Sequence, residues 1–181
     1  GNYIMINTVE KPFSYIVSVS RFPINSTVYD ANGKMIKVVN EVPLDEIRPK
    51  GFMATRKGIR SMGWRSDLPA TLSYVMPLDE GNPANEVEFR DEIFSWEAPF
   101  TSNRISILKT KQLYAGITWG TKNIAIAYDS WYDTRNAKTY LFDPSNNTVA
   151  PKIISDRNSQ DVYSDPGNFE THRNEYGQNV L

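Results

Sequence analysis

The phrase "MGWRSDLPATLSYV" at residues 62–75 returns as "ITWGTKNIAIAYD" at residues 117–129. Each copy carries a Trp, a polar turn and a run that reaches a Tyr. Trp64 and Trp119 stand 55 positions apart, and Tyr74 and Tyr128 stand 54 apart, so the second turn reads as one residue shorter. A phrase that recurs over tens of residues marks a repeated supersecondary unit, which must stack on its neighbours to bury its apolar faces.

Each copy is succeeded by a second pair of strand-like segments. These are "DEIFSWE" with "RISILKT" after the first copy, and "KTYLF" with "PKIIS" after the second. A truncated copy opens the chain as "YIMINT", then "STVYD" with "KMIKVV". Four strands per unit is the pattern of propeller blades. The expected fold is therefore all-β: a partial β-propeller of about three four-stranded antiparallel blades, one lacking its first strand. The blades fall at roughly 1–43, 58–110 and 113–157 of an incomplete propeller over 1–167, and 168–181 reads as a polar tail, the truncated start of another blade. A duplicated β-sandwich has a similar period and stays open as an alternative.

The strand signals are local. "ATLSYV" puts Ala70, Leu72 and Tyr74 on one face and Thr71 and Ser73 on the other. "IAIAY" alternates Ile124, Ile126 and Tyr128 with small Ala125 and Ala127, which suits a strand held between two packed sheets. Asp30-Ala31-Asn32-Gly33 joins two strands, its Asn-Gly supplying positive φ for a tight turn. A longer turn around Pro144, Asn146 and Asn147 repeats the plan. Residues 84–97 form an incomplete helical face, and their aromatic end "IFSWE" favours a strand.

Composition narrows the functions. Lys plus Arg is 20 against 21 for Asp plus Glu, a net charge of −1, without the basic excess of a nucleic-acid binder. There is no Cys, so disulfides and thiolate metal sites are excluded. No apolar stretch is long enough to span a bilayer, which sets a membrane partner aside. The start, "GNYIMINT", has no signal-peptide layout; Gly1 reads as a tag remnant on a segment of a longer protein, with a processed mature chain as the alternative.

Catalytic constellations are missing. A nucleophile elbow needs Gly-x-Ser-x-Gly, and "IRSMG" at 59–63 has Ile in the first place and precedes a strand. The sole histidine, His172, lies in the polar tail, where it reads as solvated, and it removes the usual zinc sets. Asp79, Glu80, Glu86, Glu88, Asp91 and Glu92 crowd one stretch without EF-hand spacing, so a solvated loop with local pairing to Arg90 is expected rather than a calcium site. Asp156, Asp161 and Asp165 read as turn caps. No cofactor and no metal are expected. Of the four Trp, 64 and 119 recur as packing anchors, while Trp131 is less constrained and is a candidate for sugar stacking.

Arginines are the candidate binding residues. Arg60, Arg65, Arg90 and Arg135 sit at strand ends, where a guanidinium can hold an acidic peptide side chain or C-terminus through two charge-assisted bonds. The competing reading is structural: Arg–Asp pairs that tie neighbouring blades, such as Arg65 with Asp67 or Arg90 with Asp91.

The strings "KPFSYIVSVSRFP", "GIRSMGWRSDLPATLSYV", "RDEIFSWEAPF", "YAGITWG", "DSWYDTRNAKTYLFDP" and "SDRNSQDVYSDPGNF" resemble, in order from Tyr3 to Phe169, the N-terminal propeller of prolyl-oligopeptidase-family serine peptidases, in the glutamyl-endopeptidase-like branch. Trp64-Arg65-x-Asp67-x-Pro69-Ala70 and Asp161-Val162-Tyr163-x-Asp165-Pro166-Gly167 are the most specific parts. Where that family often shows Asp-Gly-Gly-Asp-Pro, this chain departs with Asp79-Glu80-Gly81-Asn82-Pro83. The resemblance implies a non-catalytic lid that gates peptide substrates above an α/β-hydrolase domain, the domain carrying the Ser, Asp and His. It implies export, to the periplasm in a bacterium, with a cytoplasmic location otherwise. An independent peptide- or glycan-binding β-module is the competing function. An incomplete ring also leaves a sheet face bare, so self-association is expected.

Overall fold

A computed structural model describes residues 1–181. Strands carry the architecture, and helix is confined to single 3-10 turns at Val19–Arg21 and Val162–Ser164. The first sheet is a meander of β1 (Tyr3–Val9), β2 (Ile24–Asp30) and β3 (Met35–Val42). The second holds β4 (Arg60–Trp64), β5 (Thr71–Pro77), β6 (Asp91–Glu97) and β7 (Ile105–Thr110). The third holds β8 (Leu113–Thr121), β9 (Ile124–Trp131), β10 (Asn136–Phe142) and β11 (Lys152–Asn158). All pairings join strands adjacent in sequence and are antiparallel. The all-β expectation holds.

Alternation along the second sheet builds two separate cores. Leu72, Tyr74 and Trp96 join Val28 and Val39 of the first sheet. Val75, Ile93, Ile107 and Leu108 join Trp119, Ala125, Ala127, Tyr140 and Phe142 of the third. The middle sheet is therefore covered on both faces, and every residue from Thr71 to Val75 is buried, the polar Thr71 and Ser73 included. Ala125 and Ala127 are fully buried, as small residues must be where two sheets meet closely.

The repeated Trp keeps its register. Trp64 pairs with Leu72 and Trp119 with Ala125, in both cases the second residue of the following strand. Each Trp also packs into the core shared with the preceding sheet. The Tyr half of the phrase does not keep step. Trp and its cross-strand partner are 8 positions apart in the second sheet and 6 in the third, so the turn shortens by two residues, not one. Tyr74 then corresponds to Ala127, while Tyr128 falls on the opposite face, paired with Gly116. A shift of one residue in a strand exchanges its faces.

Two further expectations change. In the β2–β3 turn only Gly33 has positive φ, at 80°; Asn32 stays in the ordinary region, and Asp30 Oδ1 closes the turn by accepting from the amides of Asn32 and Lys34, both at 2.9 Å. Ala70 has φ 47° and precedes β5 instead of opening its apolar face. The polar tail forms a short hairpin, β12 (His172–Arg173) with β13 (Asn179–Val180), and Leu181 donates its amide to Trp119 O at 2.9 Å.

Ala127→Leu forces a branched side chain into the contact between the second and third sheets. It is expected to lower unfolding free energy by about 1–3 kcal/mol in urea titrations, whereas Lys122→Leu in the exposed β8–β9 turn stays near wild type.

Candidate functional site

β4 and β8 begin at the same end of the stack where β5–β6 and β9–β10 turn, and three of the four candidate arginines gather there. Arg60, the first residue of β4, forms an ion pair with Oδ2 of Asp91, the first residue of β6. The same oxygen accepts from Tyr114 N of β8 at 2.6 Å, so one carboxylate joins two sheets. Asp91 is fully buried, and burial pushes its carboxyl above the usual range against the pull of Arg60 and the Tyr114 amide. Burial likewise pushes the Tyr114 phenol up to about 12.

Arg90 pairs with Asp79 at 2.8 Å and lies 3.9 Å over the ring of Trp131 in the third sheet. Arg90 thus pairs within its own acidic loop, as expected, but Asp79 and Asp91 are buried there instead of solvated, and Asp91 goes to Arg60. Trp131, the residue offered for sugar stacking, has one ring face occupied by that guanidinium. Arg135 occupies a left-handed turn position, φ 55°, and stacks on Tyr132 at 3.6 Å with no carboxylate in ion-pair reach. Tyr132 in turn meets Phe52 at 4.2 Å.

Arg65 lies at the opposite end, sealed between sheets. Its side chain is 2% exposed, forks onto Asp67 at 3.0 and 2.7 Å, donates to Ser95 Oγ at 3.1 Å and sits 4.1 Å over Trp119. Arg60, Arg65 and Arg90 each reach a group of the third sheet directly or through one carboxylate. A second carboxylate knot lies at the third sheet, where Asp129 Oδ2 accepts from Tyr140 Oη of β10 at 2.7 Å and from Gln112 N, in the link before β8, at 2.9 Å. Burial raises the Asp129 carboxyl above its ordinary 3.8 despite those two bonds.

The irregular stretch between β3 and β4 rests on the acidic loop. Thr55 N donates to Gly81 O at 3.0 Å, and Lys57 meets Glu80 at 2.9 Å. Gly81 has φ 73°, and a Cβ there would stand 2.4 Å from Thr55 O. His172 is exposed in β12, and Ser61 lies in β4. Sequence patterning did not single out Arg104, which covers Trp96 at 4.5 Å, or Arg21, Arg48 and Arg56, which gather around Asp45. Nothing periodic marks such residues.

No family model and no solved structure matches the chain. Among curated proteins, a probable chloroplastic glutamyl endopeptidase of Oryza sativa subsp. japonica is 38% identical over 181 residues, covering 99% of this chain. One of the same description from Arabidopsis thaliana is 36% identical over the same span. The chain spans 19% of the length of each. It is similar throughout to a segment of proteins named as peptidases. Those names place the relatives in the chloroplast and lend no support to the bacterial periplasm expected from the sequence. No helix is long and apolar enough to cross a membrane.

Gly81→Ala sets a Cβ against a backbone carbonyl at positive φ and is expected to destabilise the chain by about 1–3 kcal/mol in urea melts. For Asp129, folding favours the protonated form, so its stabilising contribution is full below about pH 3.8 and is lost as pH rises through its higher native value. The stability of wild type relative to Asp129→Asn is accordingly expected to shrink as pH rises above about 4, measured by urea unfolding at each pH.

Proposed function

We propose that this chain is a non-catalytic part of a serine peptidase, a partial propeller that gates peptide access to an α/β-hydrolase domain elsewhere in the parent protein. The observation that carries the reading is the shared register of Trp64 and Trp119, each directed into the core formed with the preceding sheet. Successive meanders that repeat one inter-sheet contact are the way blades stack around an axis. The names of the two relatives, each about five times longer than the chain, supply the peptidase half of the proposal.

In this reading the sheets over 1–43, 58–110 and 113–157 are blades, and 168–181 begins another. Arg60, Arg65 and Arg90 hold blades together and shape the channel wall. Arg135, free of any carboxylate, is the one of the four placed to meet an acidic peptide. The faces of the first and third sheets turned away from the middle one carry exposed Ile4, Ile6 and Ile124, which suits association with further blades or with a second copy.

The isolated chain is expected to leave glutamyl and prolyl peptide substrates uncut and to stay unlabelled by a fluorophosphonate probe. Light scattering after size exclusion is expected to give a mass above 20.6 kDa. Serine-directed labelling of this chain would overturn the assignment, and a monomer at high concentration would remove the self-association.

A further inference from the structure

Every sheet edge except one is guarded against pairing with another strand. β3, β4, β7 and β11 each carry a charged side chain, and in each of those four pairings the register with the neighbouring strand is broken. β8 has breaks near Tyr114 and Trp119, and the Leu181 amide already sits on its Trp119 carbonyl. Charges and bulges are how proteins keep an edge from accepting a further strand. β1 has neither. Tyr3–Val9 is uncharged and runs in unbroken register with β2, from Tyr3↔Asp30 to Val9↔Ile24.

Half of the β1 backbone is committed. Glu10 N donates to Pro23 O at 2.9 Å, one position beyond the Val9–Ile24 pair. Antiparallel alternation then turns the backbone groups of Ile4, Ile6 and Thr8 towards β2, and leaves the N–H and C=O of Tyr3, Met5, Asn7 and Val9 on the open edge.

The two four-stranded sheets identify what belongs there. In them β4 lies beside β5 and β8 beside β9, while β1, the counterpart of β5 and β9, has a neighbour on one side only. The correspondence extends to single residues. Trp64, Leu72 and Trp96 form one cross-strand row, and Trp119, Ala125 and Phe142 form another. Ile4 and Tyr29 continue the series in the first sheet: Ile4, like Leu72 and Ala125, is the second residue of its strand, and Tyr29 is the aromatic across from it. Leu72 and Ala125 are both 0% exposed, whereas Ile4 is 60% exposed. Beside it lies a groove of about 400 Å³ whose walls include Tyr3, Ile4, Ile6 and Tyr29.

The geometry points to β1 as a strand-acceptor edge, completed by the segment of the parent polypeptide that directly precedes it, with a large aromatic side chain seated over Ile4 and Tyr29. β4 reaches β5 through residues 65–70, and β8 reaches β9 through residues 122–123, so the matching strand arrives by a turn just before Tyr3. The two relatives, of which this chain spans 19%, are long enough to supply it. Like the lid reading, the inference rests on a parent longer than this chain, but it needs no hydrolase domain.

The test is amide hydrogen exchange, read by nuclear magnetic resonance or mass spectrometry, on the 181-residue chain, on the same chain lengthened before Gly1, and on the full gene product. The lengthened chain carries about 15 further residues of the parent, enough for a strand and a turn. In the 181-residue chain the amides of Met5, Asn7 and Val9 are expected to exchange freely while those of Ile6 and Thr8 are protected. Lengthening is expected to slow the first three about ten-fold or more, and to shift the Ile4 methyl resonances upfield through an aromatic ring. Ile4→Lys, which guards the edge with a charge, is expected to abolish that gain; the wild-type exchange map decides the matter even if this variant fails to fold. Free exchange at these amides in all three forms overturns the proposal. So does protection that appears only in the full gene product, which would bring the strand from elsewhere in the parent. Protection already present in the 181-residue chain and lost on dilution would make a second copy the occupant and also overturns it. The lid reading turns instead on serine-directed labelling of the full gene product outside this segment, so either can fail alone.

Discussion

Both faces of the middle sheet are buried, and that constraint organises the molecule. A strand covered on one side can carry polar residues on the other at no cost, but β5 has no free side. Its alternate residues enter two different cores, so one strand commits two neighbouring sheets at once. Any slip of β5 would exchange the contents of both cores together, which fixes its register more firmly than one apolar face can. The third sheet answers with alanines at the contact, allowing the bulk of Trp119, Tyr140 and Phe142 to be accommodated beside them.

Such close packing leaves polar groups inside, and the chain handles them with carboxylates bonded to several donors. Asp91 binds a guanidinium from its own sheet and a backbone amide from the next. Asp129 gathers a phenol of the third sheet and an amide of the link that leads into it. Removing one member of such a set strands the others in a medium that solvates them poorly. Arginines over tryptophans do similar work with less demand for geometry: Arg65 on Trp119 and Arg90 on Trp131 join charged and aromatic surfaces of different sheets.

Strands, hairpins and the Trp anchor were legible in the sequence because each depends on residues close in the chain. Arg65 with Asp67 was readable for the same reason, two positions apart at the mouth of one turn. The partner of Asp91 was not: Arg60 lies 31 positions away, and adjacent Arg90 turns to Asp79 instead. Tyr74 and Tyr128 looked equivalent in the linear text because a turn had lost two residues rather than one, a difference visible only in cross-strand pairing. The arginines around Asp45 left no trace in periodicity, since residues 43–59 form neither strand nor helix.

Gly81 carries no side chain, and its backbone lies so close to Thr55 that even a methyl group has no room. The position of Thr55 is therefore dictated from a loop of the neighbouring sheet. The backbone of one segment is thus held in place by the smallest residue of another, and a side chain at position 81 would be felt as a displaced loop some twenty-five residues upstream.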